Sequence, residues 1–204
     1  MNTDLNYSVG INAKNFKPLC QLAETVTHIR RYSEEWMIEK DKIAVIGFSA
    51  GGHLVASLGT MFREKAFLEQ WKGDGDIKPN AMILCYPVIA SDKYAHVESI
   101  ENVSGAKKGE KAYEAFGLEQ YVSADTPPTF LWHTAEDDVV AVENSLHFSE
   151  ALSEKKVPFE MHIFPEGPHG MSTCTKEVGS DNPYNRRWVE WSIEWLNKLF
   201  LFSA

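Results

Sequence analysis

The sequence predicts an α/β fold of three layers, in which helices cover both faces of a mostly parallel β-sheet. Short apolar segments alternate with longer amphipathic segments along the chain, the order expected of strands joined by helices. The short segments are apolar at consecutive positions, as in strands buried on both faces. A length of 204 residues suits one domain, which we expect to span residues 1–204.

The first half of the chain is predicted to contain a helix, a strand and a second helix. Leu19, Leu22 and Val26 begin a row of apolar residues in steps of three and four, which predicts a helix over residues 19–36. Residues 42–48 are apolar and β-branched and predict a buried strand, and residues 53–62 return to a helical pattern.

The second half continues this alternation. Apolar runs predict strands over residues 81–89, 128–133 and 159–164, and amphipathic runs predict helices over residues 142–155 and 186–202. Leu146 and Leu152 are expected to face inward from the first of these helices. In the last helix Trp188, Trp191 and Trp195 are three and four residues apart, which favours packing on the sheet over sugar stacking.

Two segments interrupt the alternation. Residues 70–80 are rich in glycine and aspartate and predict a surface loop. Residues 91–126 are polar, contain several glycines and are too long for a simple connection. We expect this second segment to be an excursion or cap that shapes a ligand site, and a pair of solvated surface helices is the alternative.

The charge of the chain excludes some classes of partner. Lys and Arg number 20 and Asp and Glu number 29, so the net charge is −9. Such a surface repels phosphate backbones and anionic lipid headgroups, which argues against nucleic acid or a membrane face as a partner. No apolar run approaches the ~20 residues of a membrane-spanning helix.

The three cysteines predict neither a disulfide framework nor a metal site. Cys20, Cys85 and Cys174 are scattered and form no Cys-x-x-Cys pair. We expect no metal and no organic cofactor in this chain. The N-terminal residues lack both the basic patch and the apolar stretch of a signal peptide, so a cytoplasmic location is expected.

The strongest local signal is the segment GFSAGGH at residues 47–53, between a predicted strand and a predicted helix. It matches the Gly-x-Ser-x-Gly nucleophile elbow, in which the chain reverses sharply at the serine. Gly47 and Gly51 are expected because the residues on either side of Ser49 crowd each other. The backbone N–H of Ala50, at the start of the helix, is then placed to stabilise an oxyanion.

A serine needs a base, and in this type of turn the expected chain order is Ser, then Asp or Glu, then His. His169 lies in a Gly-Pro-His-Gly loop after the last predicted strand and is the leading candidate for the base. His133 ends the preceding strand and is expected at most to support the site. For the acid, the pattern leaves Glu136, Asp137 and Asp138 open because they are adjacent.

These segments together resemble the α/β-hydrolase fold, and more narrowly the small esterases and acetyl-xylan-esterase-like deacetylases of the lipase/esterase group, the BD-FAE-like proteins often labelled xylanase or sugar hydrolase. The resemblance is carried by DKIAVIGFSAGGHL at residues 41–54, DTPPTFLWHT at residues 125–134 and GPHG at residues 167–170. It implies Ser49 as nucleophile, Asp137 as acid and His169 as base. It also implies short-chain or acetyl esters, some on sugars, as substrates.

One departure from the family concerns the region upstream of the elbow. The family carries an earlier strand that ends in a His-Gly-Gly-Gly or Pro-Gly-Gly-Gly loop, which supplies a second oxyanion N–H. Here Gly10 is the only glycine before the elbow, so we expect a fold that lacks its N-terminal strands and has an unpaired sheet edge. A shortened gene product, coverage of the edge by residues 5–9, and pairing with a second copy in a homo-oligomer are the three explanations.

The predicted function is that of a serine carboxylesterase or deacetylase, with a small ester or an acetylated sugar as its substrate. The alternative from another class is a catalytically silent domain that acts in binding or assembly. A glycosidase is a further alternative, but it needs two carboxylates about 5–10 Å apart, and no motif places such a pair. A peptidase of the same fold is the last alternative, but such peptidases usually carry a further domain that restricts substrate entry to the active site.

Overall fold

A computed structural model describes residues 2–201 and contains one sheet of four strands. The strands are β1 (Ala44–Phe48), β2 (Ala81–Cys85), β3 (Thr129–Thr134) and β4 (Phe159–Phe164), in the spatial order β1-β2-β3-β4. Every neighbouring pair is parallel. Phe48 is in register with Cys85 and Cys85 with Trp132, so the carboxyl ends of β1, β2 and β3 meet at one edge.

Helices cover both faces of the sheet, which confirms the predicted three-layer α/β class. The helices are α1 (Lys17–Arg31), α2 (Ala50–Met61), α3 (Lys65–Leu68), α4 (Val97–Ser104), α5 (Lys111–Glu114), α6 (Glu143–Glu154) and α7 (Arg187–Phe200). Residues of α1, α2 and α6 pack into one apolar cluster, whereas α7 packs into another. Right-handed crossovers between strands in sequential order place α2 and α6 on the same face, and α7, which follows the last strand, covers the opposite face.

The two apolar clusters use alternate residues of the buried strands. Met82 and Leu84 of β2 face the cluster of α1, α2 and α6, whereas Ile83 and Cys85 face the cluster of α7. This alternation follows from the two-residue period of a strand. It also explains why β2 is apolar at every position.

The tryptophans of α7 pack on the sheet, as predicted. Trp188 is 2% exposed, and Trp191 and Trp195 pack against the same cluster. The rings of Trp188 and Trp132 are stacked with centroids 5.2 Å apart. The predicted end of this helix at Phe202 lies outside the described residues.

Three predictions from periodicity were wrong in part. The strand predicted over residues 81–89 ends at Cys85, because Tyr86 has a φ of +37° and Pro87 has no N–H for the strand ladder. The helix predicted over residues 19–36 ends at Arg31, although a further hydrogen-bonded turn carries Trp36 back over Tyr32. Leu146 is 41% exposed rather than inward, since α6 buries the face formed by positions 145, 148, 149 and 152.

The strand β1 is an edge of the sheet. Within residues 2–201 it pairs with β2 alone, and Ile46 on this strand is 47% exposed. Residues 5–9 form no strand with β1, and Leu5 and Tyr7 pack against the cluster of α1 and α2 instead. Of the three explanations for an open edge, coverage by this segment is therefore not what the structure shows.

Residues 91–126 contain α4, α5 and a short 3₁₀ turn at Leu118–Tyr121. Ile100, Tyr113 and Phe116 of this segment form a buried cluster with Val88 and Val140. The segment is therefore packed on the carboxyl-end side of the sheet rather than being a pair of solvated helices. No helix within residues 2–201 has the length and apolar character needed to cross a membrane.

Candidate active site

Ser49 lies between β1 and α2, where the chain reverses direction. It has φ +53° and ψ −119° and precedes the first residue of α2, a strained backbone conformation for a residue with a side chain. Its N–H donates to the carbonyl of Cys85 at 3.0 Å, and its own carbonyl accepts from the N–H of Val88 at 3.2 Å. The elbow is thus held by the end of β2 and the residues that follow.

The glycines around Ser49 differ in how strictly they are required. A Cβ on Gly47 would lie 2.2 Å from the carbonyl oxygen of Gly51, so a side chain at position 47 is excluded by backbone. A Cβ on Gly51 would meet only the Tyr7 hydroxyl, at 3.3 Å. Sequence analysis did not single out Gly52, but a Cβ added there would lie 2.7 Å from the Pro87 side chain. The adjacent Gly51 and Gly52 in the motif were the signal that could have identified this requirement.

The structure brings Ser49, Asp137 and His169 together. The Ser49 hydroxyl lies 2.8 Å from Nε2 of His169, and Nδ1 of His169 lies 2.7 Å from Oδ2 of Asp137. The three residues come from the ends of β1, β3 and β4, which the parallel sheet places at one edge. The ring of Tyr86 stands edge-on to the His169 ring, with centroids 5.0 Å apart, and limits its movement.

Asp137 is distinguished from its acidic neighbours by burial. Glu136 and Asp138 are exposed, whereas the Asp137 side chain is buried. The other carboxylate oxygen, Oδ1, accepts from the N–H groups of Val139 and Val140 at 3.0 and 2.8 Å. Burial alone would raise the pKa of Asp137, but hydrogen bonds from His133, His169 and the Val140 N–H hold this pKa well below its usual range.

The second histidine at Asp137 is His133, at the end of β3. Its Nε2 lies 2.9 Å from the carbonyl of Val140 and 3.2 Å from Oδ2 of Asp137. Both of these partners are acceptors, so Nε2 carries the hydrogen, and the hydroxyl of Ser145 donates to Nδ1 at 2.8 Å. His133 therefore braces the carboxylate that orients His169. Ser145 was missed by the sequence analysis, since no local pattern links it to position 133.

The N-terminus of α2 lies directly after Ser49. Ala50 is the first residue of α2, and the first N–H groups of a helix have no acceptor within that helix. The Ala50 N–H is therefore available beside the Ser49 hydroxyl, and the dipole of α2 favours negative charge there. No cluster of three or more His, Cys, Asp or Glu suited to a metal ion occurs within residues 2–201.

Comparison with curated proteins gives two informative relatives. The chain is 37% identical over 178 residues to Endo-1,4-beta-xylanase B of Butyrivibrio fibrisolvens. The alignment covers 87% of this chain and 28% of that protein. It is 30% identical over 155 residues to an Acetylxylan esterase of Xylanibacter ruminicola. This alignment covers 72% of this chain and 29% of that protein. This chain thus spans less than a third of the length of both relatives.

Solved structures share the fold over most of this chain. An acetyl ester-xyloside bifunctional hydrolase from Caldicellulosiruptor lactoaceticus matches with a TM-score of 0.84 and 34% identity, covering 98% of this chain and 71% of that one. MGS-M1, an alpha/beta hydrolase enzyme from a Medee basin deep-sea metagenome library, matches with a TM-score of 0.68 and 31% identity, covering 91% of this chain and 66% of that one. A family model described as BD-FAE matches residues 4–152. The chain has the α/β-hydrolase fold and belongs to the BD-FAE family, as its sequence resemblance predicted.

Proposed function

We propose that the chain hydrolyses carboxylic esters through an acyl-serine intermediate at Ser49. The observation that carries this proposal is the continuous hydrogen-bond chain from Ser49 to His169 to Asp137, with distances of 2.8 and 2.7 Å. A serine hydroxyl becomes a useful nucleophile when a base removes its proton and a carboxylate orients that base. The three side chains stand in this arrangement at the carboxyl edge of the sheet.

In the first half of the reaction, Nε2 of His169 accepts the proton of Ser49 as Oγ attacks the ester carbonyl. The carbonyl oxygen becomes an oxyanion and accepts a hydrogen bond from the Ala50 N–H. His169 then donates its proton to the leaving alkoxide, which departs as an alcohol and leaves the acyl group on Ser49. Asp137 keeps the hydrogen of His169 on Nδ1 and stabilises the imidazolium.

In the second half, water replaces the alcohol. His169 removes a proton from the water as it attacks the acyl-serine, and returns that proton to Oγ of Ser49 when the carboxylic acid leaves. In each half-reaction His169 takes up one proton and gives it away, so after both halves the enzyme is regenerated. This cycle requires neither a metal nor an organic cofactor.

The proposed substrates are short-chain esters, including acetyl esters on sugars. The names of two relatives support this class, since one is an Acetylxylan esterase and another is an acetyl ester-xyloside bifunctional hydrolase. A glycosidase would instead need two free carboxylates about 5–10 Å apart. The carboxylate of Asp137 is already occupied by four donors, so the site favours ester chemistry.

The test is hydrolysis of p-nitrophenyl acetate by the wild-type chain and by Ser49→Ala. The alanine variant is expected to lose at least about a thousandfold in kcat, because both the nucleophile and the proton path are removed. Ser153→Ala, an exposed serine on α6, is the matched control and should retain full activity. Equal rates for the wild type and Ser49→Ala would contradict the proposal.

A catalytically silent binding or assembly module is the second candidate. The open edge of β1 and the exposed Ile46 favour it, because unpaired strand edges are suited to pairing with another chain. A fluorophosphonate probe separates the two candidates. Labelling of Ser49 shows an activated serine, whereas folded protein that resists labelling supports the silent module.

A further inference from the structure

An apolar cavity of about 110 Å³ adjoins the elbow on the α2 side of Ser49. Its walls include Ala50 and Leu54 of α2, Phe16 and Leu19 near the start of α1, Val103 of α4, and Phe116. Ala50 thus belongs to two features, since it follows Ser49 at the start of α2 and also lines the cavity. The cavity therefore adjoins the residue whose N–H is proposed to hold the oxyanion.

Two polar residues of the cavity wall, His53 and Ser57, already have hydrogen-bond partners. His53, one turn into α2, donates from Nε2 to the carbonyl of Phe116 at 3.1 Å, and Ser57 donates to the carbonyl of His53 at 2.8 Å. Burial lowers the pKa of His53 to about 4, so this wall carries no charge at neutral pH. A ligand group in the cavity meets mainly apolar carbon.

The position of His169 decides which part of an ester would enter the cavity. During the reaction the carbonyl carbon holds Oγ of Ser49, the oxyanion, the leaving oxygen and the acyl chain. The leaving oxygen must face His169, which protonates it. The cavity is lined by residues from the N-terminal segment, α2 and the 91–126 segment, and by none from the loops that carry Asp137 and His169. It lies on the side left for the acyl chain.

The size of the cavity limits the length of that chain. A dry cavity of about 150 Å³ accepts benzene, so a volume of 110 Å³ suits an aliphatic chain of about three to five carbons. Resting on the proposed ester hydrolysis, we infer that this cavity is the acyl site and makes the enzyme prefer butyryl esters to acetyl esters. An acyl chain of eight carbons exceeds the cavity.

The kinetic test compares p-nitrophenyl acetate, butyrate and octanoate. For the wild type, kcat/KM is expected to be about tenfold higher for butyrate than for acetate, from two further buried methylenes, and lower again for octanoate. Val103→Phe and Ala13→Leu fill the cavity from two different segments of its lining, and each should reduce the butyrate-to-acetate ratio to about one. Val97→Phe, on the exposed side of the same helix α4, should keep the wild-type ratio.

A wild type that prefers acetate, or a ratio that survives in both cavity variants, would overturn the assignment. Acetate turnover in each variant shows that the protein is folded, and two variants on different elements guard against the failure of one. If the wild type turns over no ester through Ser49, the proposed function fails by itself.

A second measurement decides the acyl site without relying on turnover. The crystal structure of Ser49→Ala soaked with p-nitrophenyl butyrate should show the butyryl chain between Leu54 and Val103. A chain bound elsewhere, or a cavity that stays empty at saturating ester, would refute the inference even in an active enzyme.

Discussion

Replacing Asp137 by asparagine tests the hydrogen-bond chain at its most constrained point. Four donors point at the carboxylate, namely the N–H groups of Val139 and Val140 on Oδ1, and His133 and His169 on Oδ2. An asparagine side chain has one acceptor oxygen and one NH₂ group, so its oxygen is expected to stay with the two backbone donors. The NH₂ group then faces both histidines.

The two histidines respond differently to this NH₂ group. His169 can move its hydrogen from Nδ1 to Nε2 and accept from asparagine, but Nε2 then presents N–H rather than a lone pair to Ser49. His133 cannot reverse, because its Nε2 hydrogen is held by the carbonyl of Val140 and its Nδ1 receives the hydroxyl of Ser145. The variant therefore loses its base and keeps one donor facing a donor.

The expected loss in kcat is about 10⁴-fold, the value for the wrong imidazole tautomer in an Asp-His-Ser system, which corresponds to about 5 kcal/mol of activation free energy. The donor–donor contact adds a loss in stability of about 1–3 kcal/mol. Initial rates with p-nitrophenyl acetate and urea denaturation measure the two effects. Asp138→Asn, which removes the same charge from the exposed neighbour, is the control and should leave both unchanged. An Asp137→Asn enzyme with more than a tenth of the wild-type kcat would refute the reasoning.

Three further tests, which use four substitutions, concern the elbow, the buried His53 and the brace from His133. Gly47→Ala should destabilise the fold by about 3 kcal/mol or more, because its Cβ would overlap the carbonyl of Gly51. Gly51→Ala should cost about 1 kcal/mol or less, and equal losses in urea denaturation would contradict this contrast. The pKa of His53 is lowered by burial from 6.5 to about 4, so between these pH values the unfolded chain binds a proton that the native chain excludes. The free energy of unfolding should therefore fall by about 3 kcal/mol as pH drops through this window. For His53→Gln, the free energy of unfolding from urea denaturation should depend less on pH in this window. An unchanged pH dependence in this variant would contradict the assignment to His53. His133→Leu should lower kcat by about 10–100-fold through loss of one bond to a charged acceptor with little change in KM, and a wild-type kcat would show that Asp137 needs no brace.

The elbow was predictable from sequence because everything that forms it is local. Strand, serine and helix lie within a few residues, and the required glycine at position 47 is two residues from Ser49. The crowding that explains Gly47 is visible in the structure as the 2.2 Å approach to the carbonyl of Gly51. At Gly51 the same local argument overstates the constraint, since the group across from it is the hydroxyl of Tyr7, which comes from a distant segment.

The acid could not be chosen from the residue pattern alone. Glu136, Asp137 and Asp138 are chemically similar and adjacent, and what separates them is which side chain turns inward beneath His169. Family resemblance pointed to Asp137, and the structure places that residue against His169. The brace from Ser145 through His133 spans helix α6 and strand β3, so it depends on tertiary packing that no periodic pattern contains.

The prediction of strand and helix ends was limited by the same difference between local and long-range information. Residues 86–90 continue the apolar run of β2 and are buried, but they leave the ladder at Tyr86 to pass beneath the elbow. Val88 is buried there by Ile100, Tyr113 and Phe116 of residues 91–126, and Tyr86 by the cluster of α7, rather than by strand pairing. Leu146 is the opposite case, because it is apolar but exposed, while polar residues such as Ser145 lie on the buried face of α6.

The stacked indoles of Trp132 and Trp188 provide an intrinsic spectroscopic probe of the packing between β3 and α7. Two such rings with centroids 5.2 Å apart and planes 16° from parallel have coupled electronic transitions, which give a circular-dichroism signal that separated rings lack. Trp132 lies on β3, five residues before Asp137. Loss of that signal on heating, compared with loss of turnover, would reveal whether the acid loop comes apart before the sheet beneath it.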